Sequence, residues 1–194
     1  MKFQRLILAS ASPRRLALLT QLGLSPIVEP PAIDERPLPG EDARSLAARL
    51  ARMKGSAIAA RAAHRDAVVL AADTVVALDG ELLGKPTSPE DAMRMLRTLS
   101  GRTHSVISGL FVASPRHMET LAVETRVRFR APSESQIRWY AATDEPLDKA
   151  GSYAIQGIGG AFVESIEGSH SNVIGLPLAE ALAALERAGL VLPW

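Results

Sequence analysis

Short apolar runs alternate with longer stretches of helical spacing through the first third of the chain. Residues 5–9 form one such run and predict a buried strand. Residues 13–22 carry leucines on one side of a helix, and Pro13 at the start and Gly23 just after the end agree with the usual helix boundaries. Residues 42–64 repeat apolar side chains at helical spacing and predict a second, longer helix.

The middle of the chain changes to patterns that are typical of strands. Residues 68–78 are a β-branched apolar run that ends in an Asp-Gly turn at 79–80, so we expect residues 81–83 to return antiparallel. Residues 104–113 and 121–129 predict two more strands, and the second alternates cleanly between apolar and polar side chains.

The remaining elements follow the same rules. We expect a helix at 88–101, a helix with a capping box at 133–140, a glycine-rich loop at 151–160, a strand at 161–166 and a last helix at 177–187. Strands and helices that alternate in this way favour an α/β fold with a mixed sheet and helices on both faces.

Composition restricts the class of protein. The 194 residues, 47% of them hydrophobic and 22% charged, suit one globular domain, here taken as 1–194, or two closely packed lobes. A net charge of +1 gives no reason to expect nucleic-acid or membrane partners. The absence of cysteine excludes disulfides and thiolate chemistry. The apolar run at 6–9 is too short for a signal peptide or membrane span, so we expect a cytoplasmic protein.

Lysine is scarce in this chain, since 18 of the 22 basic residues are arginine. Lys54 lies in the apolar stripe of its predicted helix, Lys85 lies between a glycine and a proline, and Lys149 precedes the glycine-rich loop. If the three converge, their compact charges could neutralise a triphosphate and its leaving group. The alternative for Lys54 is a side chain that reaches solvent along the helix edge.

A candidate anion site follows the first strand. Ser10, Ser12, Arg14 and Arg15 lie between that strand and the start of a helix, where backbone N–H groups and the helix dipole favour a phosphate. The alternative is an ordinary N-cap followed by surface arginines.

Asp73 and Thr74 interrupt the most apolar run of the chain. A carboxylate there needs a metal ion, a lysine or a hydrogen-bond network as a partner. Asp73 could therefore bind Mg²⁺ or act as a general base. The alternative is an aspartate at a strand end that accepts hydrogen bonds from turn N–H groups.

The glycine-rich loop contains Gln156, whose amide offers a donor and an acceptor on one plane. Its alternative is a flexible connection. A Walker motif and a complete dinucleotide motif are absent, and the four histidines lack metal-ligand spacing. A Ser–His–Asp hydrolase is set aside because the nucleophile-elbow motif is missing.

Six motifs, in this order, resemble the Maf family of proteins over about residues 6–178: Ser-Ala-Ser-Pro-Arg-Arg, Ala-Asp-Thr-Val-Val, Gly-Lys-Pro, Leu-Ser-Gly-Arg-Thr-His, Asp-Lys-Ala-Gly-Ser-Tyr and Gly-Leu-Pro-Leu. The resemblance implies a fold related to the inosine triphosphate pyrophosphatases, an elongated mixed sheet with a nucleotide cleft between two lobes. It also implies a divalent cation, Mg²⁺ or Mn²⁺, and hydrolysis of nucleoside triphosphates between the α- and β-phosphates.

The resemblance also implies roles for single residues. Asp73 is expected to be the proton acceptor that activates water, with Lys54 and Lys85 as further catalytic residues. Glu35, whose role rests on the resemblance alone, is expected to hold the metal ion together with Asp73. The expected substrate-binding and specificity residues are Ser10, Arg14, Arg15, Thr74, Lys149 and Gln156.

Arg14, Thr74 and Gln156 indicate which branch of the family the chain resembles, namely the one that acts on dTTP and UTP. A second branch, which prefers 7-methyl-GTP, has Trp and Glu at the positions of Arg14 and Gln156. Glutamine can donate to a carbonyl of uracil or thymine while it accepts from N3–H, whereas a carboxylate only accepts. The alternatives that stay open are the 7-methyl-GTP preference and a nucleotide-sensing regulator of septum formation; a homodimer is expected from the family.

Overall fold

The computed structural model of the protein describes residues 2–194, except for the side chain of Ala62. Its strands are β1 (Arg5–Leu8), β2 (Ile27–Val28), β3 (Ala67–Leu78), β4 (Glu81–Leu83), β5 (Thr103–Ser114), β6 (His117–Phe129) and β7 (Val163–Glu167). Its α-helices are α1 (Pro13–Gln21), α2 (Ala43–Ala59), α3 (Pro89–Leu99), α4 (Glu134–Ala141), α5 (His170–Ile174) and α6 (Leu178–Arg187). Short 3₁₀ segments occur at Ala62–His64, Glu145–Asp148, Ala150–Ser152 and Ile158–Phe162.

The seven strands of the described residues form one mixed sheet in the order β2-β1-β3-β5-β6-β7, with β4 also paired to β3. β1 runs parallel to both β2 and β3. The other pairs are antiparallel, including the return of β4 onto β3 after the predicted Asp-Gly turn. The α/β class and the mixed sheet are thus confirmed.

One edge of β3 is interrupted near its middle. β1 pairs with β3 as far as Leu70, and β4 pairs with the same edge only from Val76 onward. Within the described part of the chain, residues 71–75 therefore have no strand neighbour on this edge. Because β1 is parallel and β4 antiparallel to β3, both strands point their carboxyl ends at the interruption, and the residues that follow them meet there.

The two faces of β3 pack against different helices. Its odd-numbered apolar side chains, such as Val69, contact α2 through Ile58, while the even-numbered ones face the opposite side. On that side Leu70 belongs to a cluster with α1 and α6, whereas Val76 belongs to a second cluster with α3 and α4. Thr74 lies where the second face passes from one cluster to the other. The hydrophobic core thus leaves a cleft between two groups of helices.

Several boundaries differ from the sequence-based expectations. The helix predicted at 42–64 ends at Ala59, because Arg61 adopts extended dihedrals (φ −72°, ψ 130°) before a 3₁₀ turn at Ala62–His64. The predicted strand at 121–129 extends back to His117 as β6, which completes a long hairpin with β5. Neither β2 nor α5 was expected, since each is too short for a periodic pattern.

The helix caps follow the sequence closely. Ser12, Ser88 and Ser133 each accept a hydrogen bond from a backbone N–H of the first helical turn, and the capping box at Ser133 and Gln136 is present. None of the helices between residues 2 and 194 has the length and apolarity that crossing a membrane requires.

Candidate active site

A cleft of about 720 Å³ opens at the interrupted edge of β3. Its walls come from the residues after β1, the loop at 30–37, α2, the middle of β3, the residues after β4 and the segment at 148–156. The ten candidate residues chosen from the sequence all line it: Ser10, Arg14, Arg15, Glu35, Lys54, Asp73, Thr74, Lys85, Lys149 and Gln156. The structure therefore brings together residues that lie up to 146 positions apart in the chain.

Lys54 lies at the centre of a small charged group on the α2 side of the sheet. Its Nζ is 2.6 Å from Asp73 Oδ1 and 2.9 Å from Glu35 Oε1. Lys54 and Asp73 are each only 8% exposed, whereas the Glu35 side chain is 54% exposed. The buried aspartate thus has a lysine partner. The residues of the structure offer no hydrogen bond to its Oδ2.

A divalent cation fits this donor set. Glu35 and Asp73 both contact the same ammonium nitrogen, so their carboxylates are neighbours in the cleft. Among residues 2–194 no group of three or more His, Cys, Asp and Glu side chains could hold a metal by itself. Two carboxylates suit Mg²⁺ or Mn²⁺, which keep several waters and take further oxygen ligands from phosphates.

Arg15 lies on the other side of the sheet and is almost fully buried, at 9% exposed. Its guanidinium donates to the Gly175 carbonyl (2.8 Å), to Ser10 Oγ (3.0 Å) and to Thr74 Oγ1 (3.1 Å). Burial lowers the pKa of Arg15, and the nearby Asp73 opposes that effect. All three bonds are made to atoms of the protein, so Arg15 links α1 to β3 and to the end of α5.

Thr74 continues the same network. Its hydroxyl lies 2.8 Å from Ser108 Oγ on β5 and 3.3 Å from the Gly175 carbonyl, in addition to the Arg15 contact. Ser108 in turn donates to the Asn172 carbonyl (3.3 Å), and Asn172 is fully buried in α5. A line of hydrogen bonds therefore joins α1, β3, β5 and α5 beneath the cleft.

Arg14 and Lys149 stand together at the mouth of the cleft. Arg14 Nη1 lies 3.2 Å from Asp148 Oδ2, and Lys149 also contacts the Asp148 carboxylate. Lys149 Nζ further donates to the Glu145 carbonyl at 3.0 Å. Both cations are partly exposed toward the cavity, so an incoming anion can reach them.

Lys85 and Gln156 are exposed, and the described residues provide no hydrogen-bond or ion-pair partner for either side chain. Their backbones are nevertheless fixed. Gly84, next to Lys85, accepts a hydrogen bond from Gly151 N at 3.1 Å, which joins the end of β4 to the glycine-rich loop. Lys85 and Gln156 are thus free to contact a ligand from well-defined positions.

The cleft is electropositive in sum, because five basic side chains (Arg14, Arg15, Lys54, Lys85, Lys149) and three acidic ones (Glu35, Asp73, Asp148) line it. An excess of positive charge in a concave site favours a polyanionic ligand and leaves two carboxylates for its counterion.

Sequence reasoning missed the supporting residues Ser108, Asn172 and Asp148. Asn172 lies in a polar stretch, Ser-His-Ser-Asn, that gives no sign of burial. Asp148 pairs with both Arg14 and Lys149. The sequence signal for this role is its place directly before Lys149, a candidate phosphate-binding residue.

Comparisons with known proteins identify the family of the chain. A family model described as Maf-like protein matches residues 5–188 of the chain. A protein of Myxococcus xanthus named dTTP/UTP pyrophosphatase is 58% identical over 189 residues, which cover 97% of this chain and 95% of that protein. Proteins with the same name are 54% identical in Anaeromyxobacter dehalogenans strain 2CP-C, covering 98% of this chain and 97% of that protein, and 47% identical in Shewanella oneidensis, covering 96% and 99%.

Proposed function

Since the chain belongs to the Maf family, we propose that it is a nucleoside triphosphate pyrophosphatase that hydrolyses dTTP and UTP to the nucleoside monophosphate and pyrophosphate. Several relatives with 46–58% identity over nearly the whole chain carry that name. The observation that supports the chemistry best is the Lys54–Asp73–Glu35 group inside a cleft lined by further cations.

In this proposal Asp73 accepts the proton of the attacking water. Lys54 binds Oδ1 and fixes the carboxylate, and Oδ2, which has no hydrogen bond from the described residues, is the proposed acceptor. The water oxygen bonds to the α-phosphorus, and the bond from that phosphorus to the bridging oxygen breaks. A positioned general base of this kind typically contributes about 10²–10⁴ to the rate.

Glu35 and Asp73 are the residues that would hold a divalent cation. When bound, the cation supplies charge neutralisation at the phosphate oxygens and lowers the pKa of coordinated water. Glu35 is exposed and belongs to a proline-rich loop, so its carboxylate can adjust to the ion while Asp73 stays fixed by Lys54.

The remaining cations suit the phosphate chain. Arg14, Lys85 and Lys149 reach the cleft from three different segments, and each keeps part of its side chain exposed. Charges that converge in this way neutralise the negative charge that builds up on the departing pyrophosphate. Arg15 contributes its charge from below, because its hydrogen bonds are made to the protein.

Gln156 is proposed to read the base. Its free amide can donate to a carbonyl of uracil or thymine and accept from N3–H. Cytosine presents the reverse pattern, so it does not match an amide that is held in this orientation. A site that is built for hydrogen bonds discriminates strongly against a base that lacks the partner groups. Thr74 is already engaged by Arg15 and Ser108, so its contribution to specificity is proposed to be the shape of the cleft floor.

The experiment that tests the proposal is pyrophosphate release from dTTP, UTP, CTP, GTP and 7-methyl-GTP, with Mg²⁺, with Mn²⁺ and with chelator. We expect metal-dependent release led by dTTP and UTP, and a loss of uridine preference in Gln156→Glu. Pyrophosphate release that is fastest from 7-methyl-GTP would contradict the base assignment. Release that chelator does not reduce would contradict the proposal that Glu35 and Asp73 hold a required cation.

We also propose that the protein acts in the cytoplasm, since the triphosphate precursors of nucleic acids are its substrates. A homodimer is expected from the family, and sedimentation analysis of the purified protein tests it.

A further inference from the structure

We propose that Glu145 is the positioning residue that sets the distance between the base-reading amide of Gln156 and the phosphate-binding ammonium of Lys149. This inference builds on the proposed function. Glu145 begins the 3₁₀ segment Glu145–Asp148 after α4, and it does not line the cleft. It contacts both Lys149 and the turn after Gln156, so it acts through these two segments.

Three donors meet on the Glu145 carboxylate. Oε1 accepts from the Tyr140 hydroxyl (2.8 Å) and from Gly159 N (2.9 Å), and Oε2 accepts from Ile158 N (2.9 Å). Burial raises the pKa of Glu145, but hydrogen bonds from Gly159, Ile158 and Tyr140 outweigh it and lower the pKa overall. The carboxylate is therefore an ionised acceptor that fixes the turn directly after Gln156.

The backbone before Gln156 is fixed by Tyr140, which also bonds to Glu145. Tyr140, which is fully buried, accepts a hydrogen bond from Ala154 N (3.3 Å) while it donates to Glu145. Gln156 thus lies between Ala154, which bonds to Tyr140, and Ile158, which bonds to Glu145. Because the Gln156 side chain has no partner in the described chain, the backbone on either side determines where its amide points.

Glu145 also holds Lys149, through its main chain. The Glu145 carbonyl accepts from Lys149 Nζ at 3.0 Å. One residue therefore bonds to the base-reading loop with its side chain and to a phosphate-binding lysine with its backbone. A displacement of either group by about an ångström is enough to impair a site that depends on alignment.

Gly157 adds an independent sign that this contact is tight. A methyl group at Gly157 would lie 2.2 Å from Glu145 Oε2, well inside van der Waals contact. The backbone there is extended (φ −112°, ψ −153°), so alanine is compatible with the dihedrals. The obstacle to a side chain at Gly157 is the carboxylate itself.

The test is a double-mutant cycle with Glu145→Ala and Gly157→Ala, read as kcat and KM for UTP and as the kcat/KM ratio of UTP to CTP. We expect each single variant to raise KM and to lower the ratio about tenfold, with kcat changed less, because the backbone that orients the Gln156 amide would lose support worth about one hydrogen bond. We expect the double variant to be no worse than Glu145→Ala, since removal of the carboxylate makes room for the methyl group.

Glu164→Gln is the matched control, because Glu164 is an exposed carboxylate on β7 that pairs with Arg128 away from the cleft. Glu145→Gln is a milder variant in which one oxygen remains, and it should fall between wild type and Glu145→Ala. Calorimetry with a non-hydrolysable UTP analogue measures the affinity of the same variants without turnover. We expect the affinities to change in the same pattern as KM.

The outcomes separate the two proposals. A wild-type protein that releases no pyrophosphate contradicts the proposed function, and the binding cycle then decides on Glu145 alone. Folded single variants that keep the wild-type UTP affinity and base ratio overturn the role of Glu145. Additive losses in the double variant also overturn it, because they show that Gly157 acts independently of the carboxylate.

Discussion

Two adjacent residues in the middle of β3 face opposite environments. Asp73 faces α2 and belongs, with Lys54 and Glu35, to a charged group that lines the cleft. Thr74 faces a network in which Arg15, Ser108 and the Gly175 carbonyl take up its hydrogen bonds. One face leaves polar atoms available for a reaction, and the other pairs them within the protein. Changes on the Asp73 face should therefore reduce turnover, and changes on the Thr74 face should reduce stability.

The largest effect is expected from Asp73→Asn. Turnover of UTP should fall about 10³-fold, because the amide cannot accept the proton of water. The asparagine oxygen can still accept from Lys54, so the thermal midpoint should change by only a few degrees. Steady-state kinetics and thermal denaturation measure the two effects. Asp66→Asn, an exposed aspartate just before β3, is the control and should match wild type in both. If Asp73→Asn kept the turnover of wild type, the expected difference between the Asp73 face and the Thr74 face would be wrong.

Arg15→Leu is the strongest test of the Thr74 face. It leaves the Gly175 carbonyl and two hydroxyls without their charged donor, so urea unfolding should show a loss of about 3 kcal/mol. Arg14→Leu is the neighbouring control, since the solvent-exposed pair of Arg14 with Asp148 should contribute less than about 1 kcal/mol. Equal losses of unfolding free energy in the two variants would contradict a larger structural role for Arg15 than for Arg14.

The Thr74 face should also be sensitive to acid through His104 of β5. His104 is 2% exposed, and burial lowers its pKa from an ordinary 6.5 to about 4. Below pH 6.5 the unfolded chain therefore takes up a proton that the folded chain refuses, so this stabilisation is complete above pH 6.5 and is lost as the pH falls to 4. The difference amounts to about 3 kcal/mol.

Urea unfolding of wild type and His104→Gln at pH 7, 5 and 4 measures this contribution. Glutamine keeps a polar group near the Tyr153 hydroxyl, which bonds to His104 Nε2 at 2.8 Å, but it does not titrate. The wild type should lose about 3 kcal/mol more than the variant on acidification. Identical pH dependence in the two proteins would contradict a histidine that is buried in its neutral form.

The smallest effect is expected from Thr74→Val. The change preserves shape and removes one hydroxyl, so stability should fall by about 1–2 kcal/mol. Turnover of UTP should change less than tenfold, in contrast to Asp73→Asn next to it. Because Thr74 and Ser108 share a hydrogen bond, the losses in Thr74→Val and Ser108→Ala should not be additive. A turnover loss as large as that of Asp73→Asn would place Thr74 among the reacting groups.

The local chemistry of the sequence predicted most of the helices and strands. Serine caps, the Asp-Gly turn and the alternation in β6 are short-range signals, and the structure confirms them. The end of α2 is different, because its alanine-rich sequence has no stop signal. The chain leaves the helix where His64 reaches Glu29, with Nε2 3.0 Å from Oε2. Such a contact depends on the tertiary fold and has no local pattern.

The sequence predicted residues that line the cleft but not the pairs that they form. Buried charge in an apolar run correctly indicated that Asp73 needs a partner, and the scarcity of lysine pointed to Lys54. Arg14 and Arg15 look alike in sequence, yet one faces the cleft mouth and the other is buried beneath it. Which of two neighbouring arginines turns inward depends on the packing of α1 against α5. The roles assigned to these residues in binding and catalysis stay predictions until the variants are measured.

The interruption of β3 at residues 71–75 also bears on the growth of the sheet by added strands. An active site that uses a strand edge normally exposes unpaired backbone groups, and such an edge can recruit another chain into a growing sheet. Here β1 and β4 occupy the same edge on either side, so a foreign strand that paired with residues 71–75 could not extend further in either direction. The cleft thus gains access to backbone donors and acceptors on a stretch of edge that is bounded at both ends by strands of the protein itself.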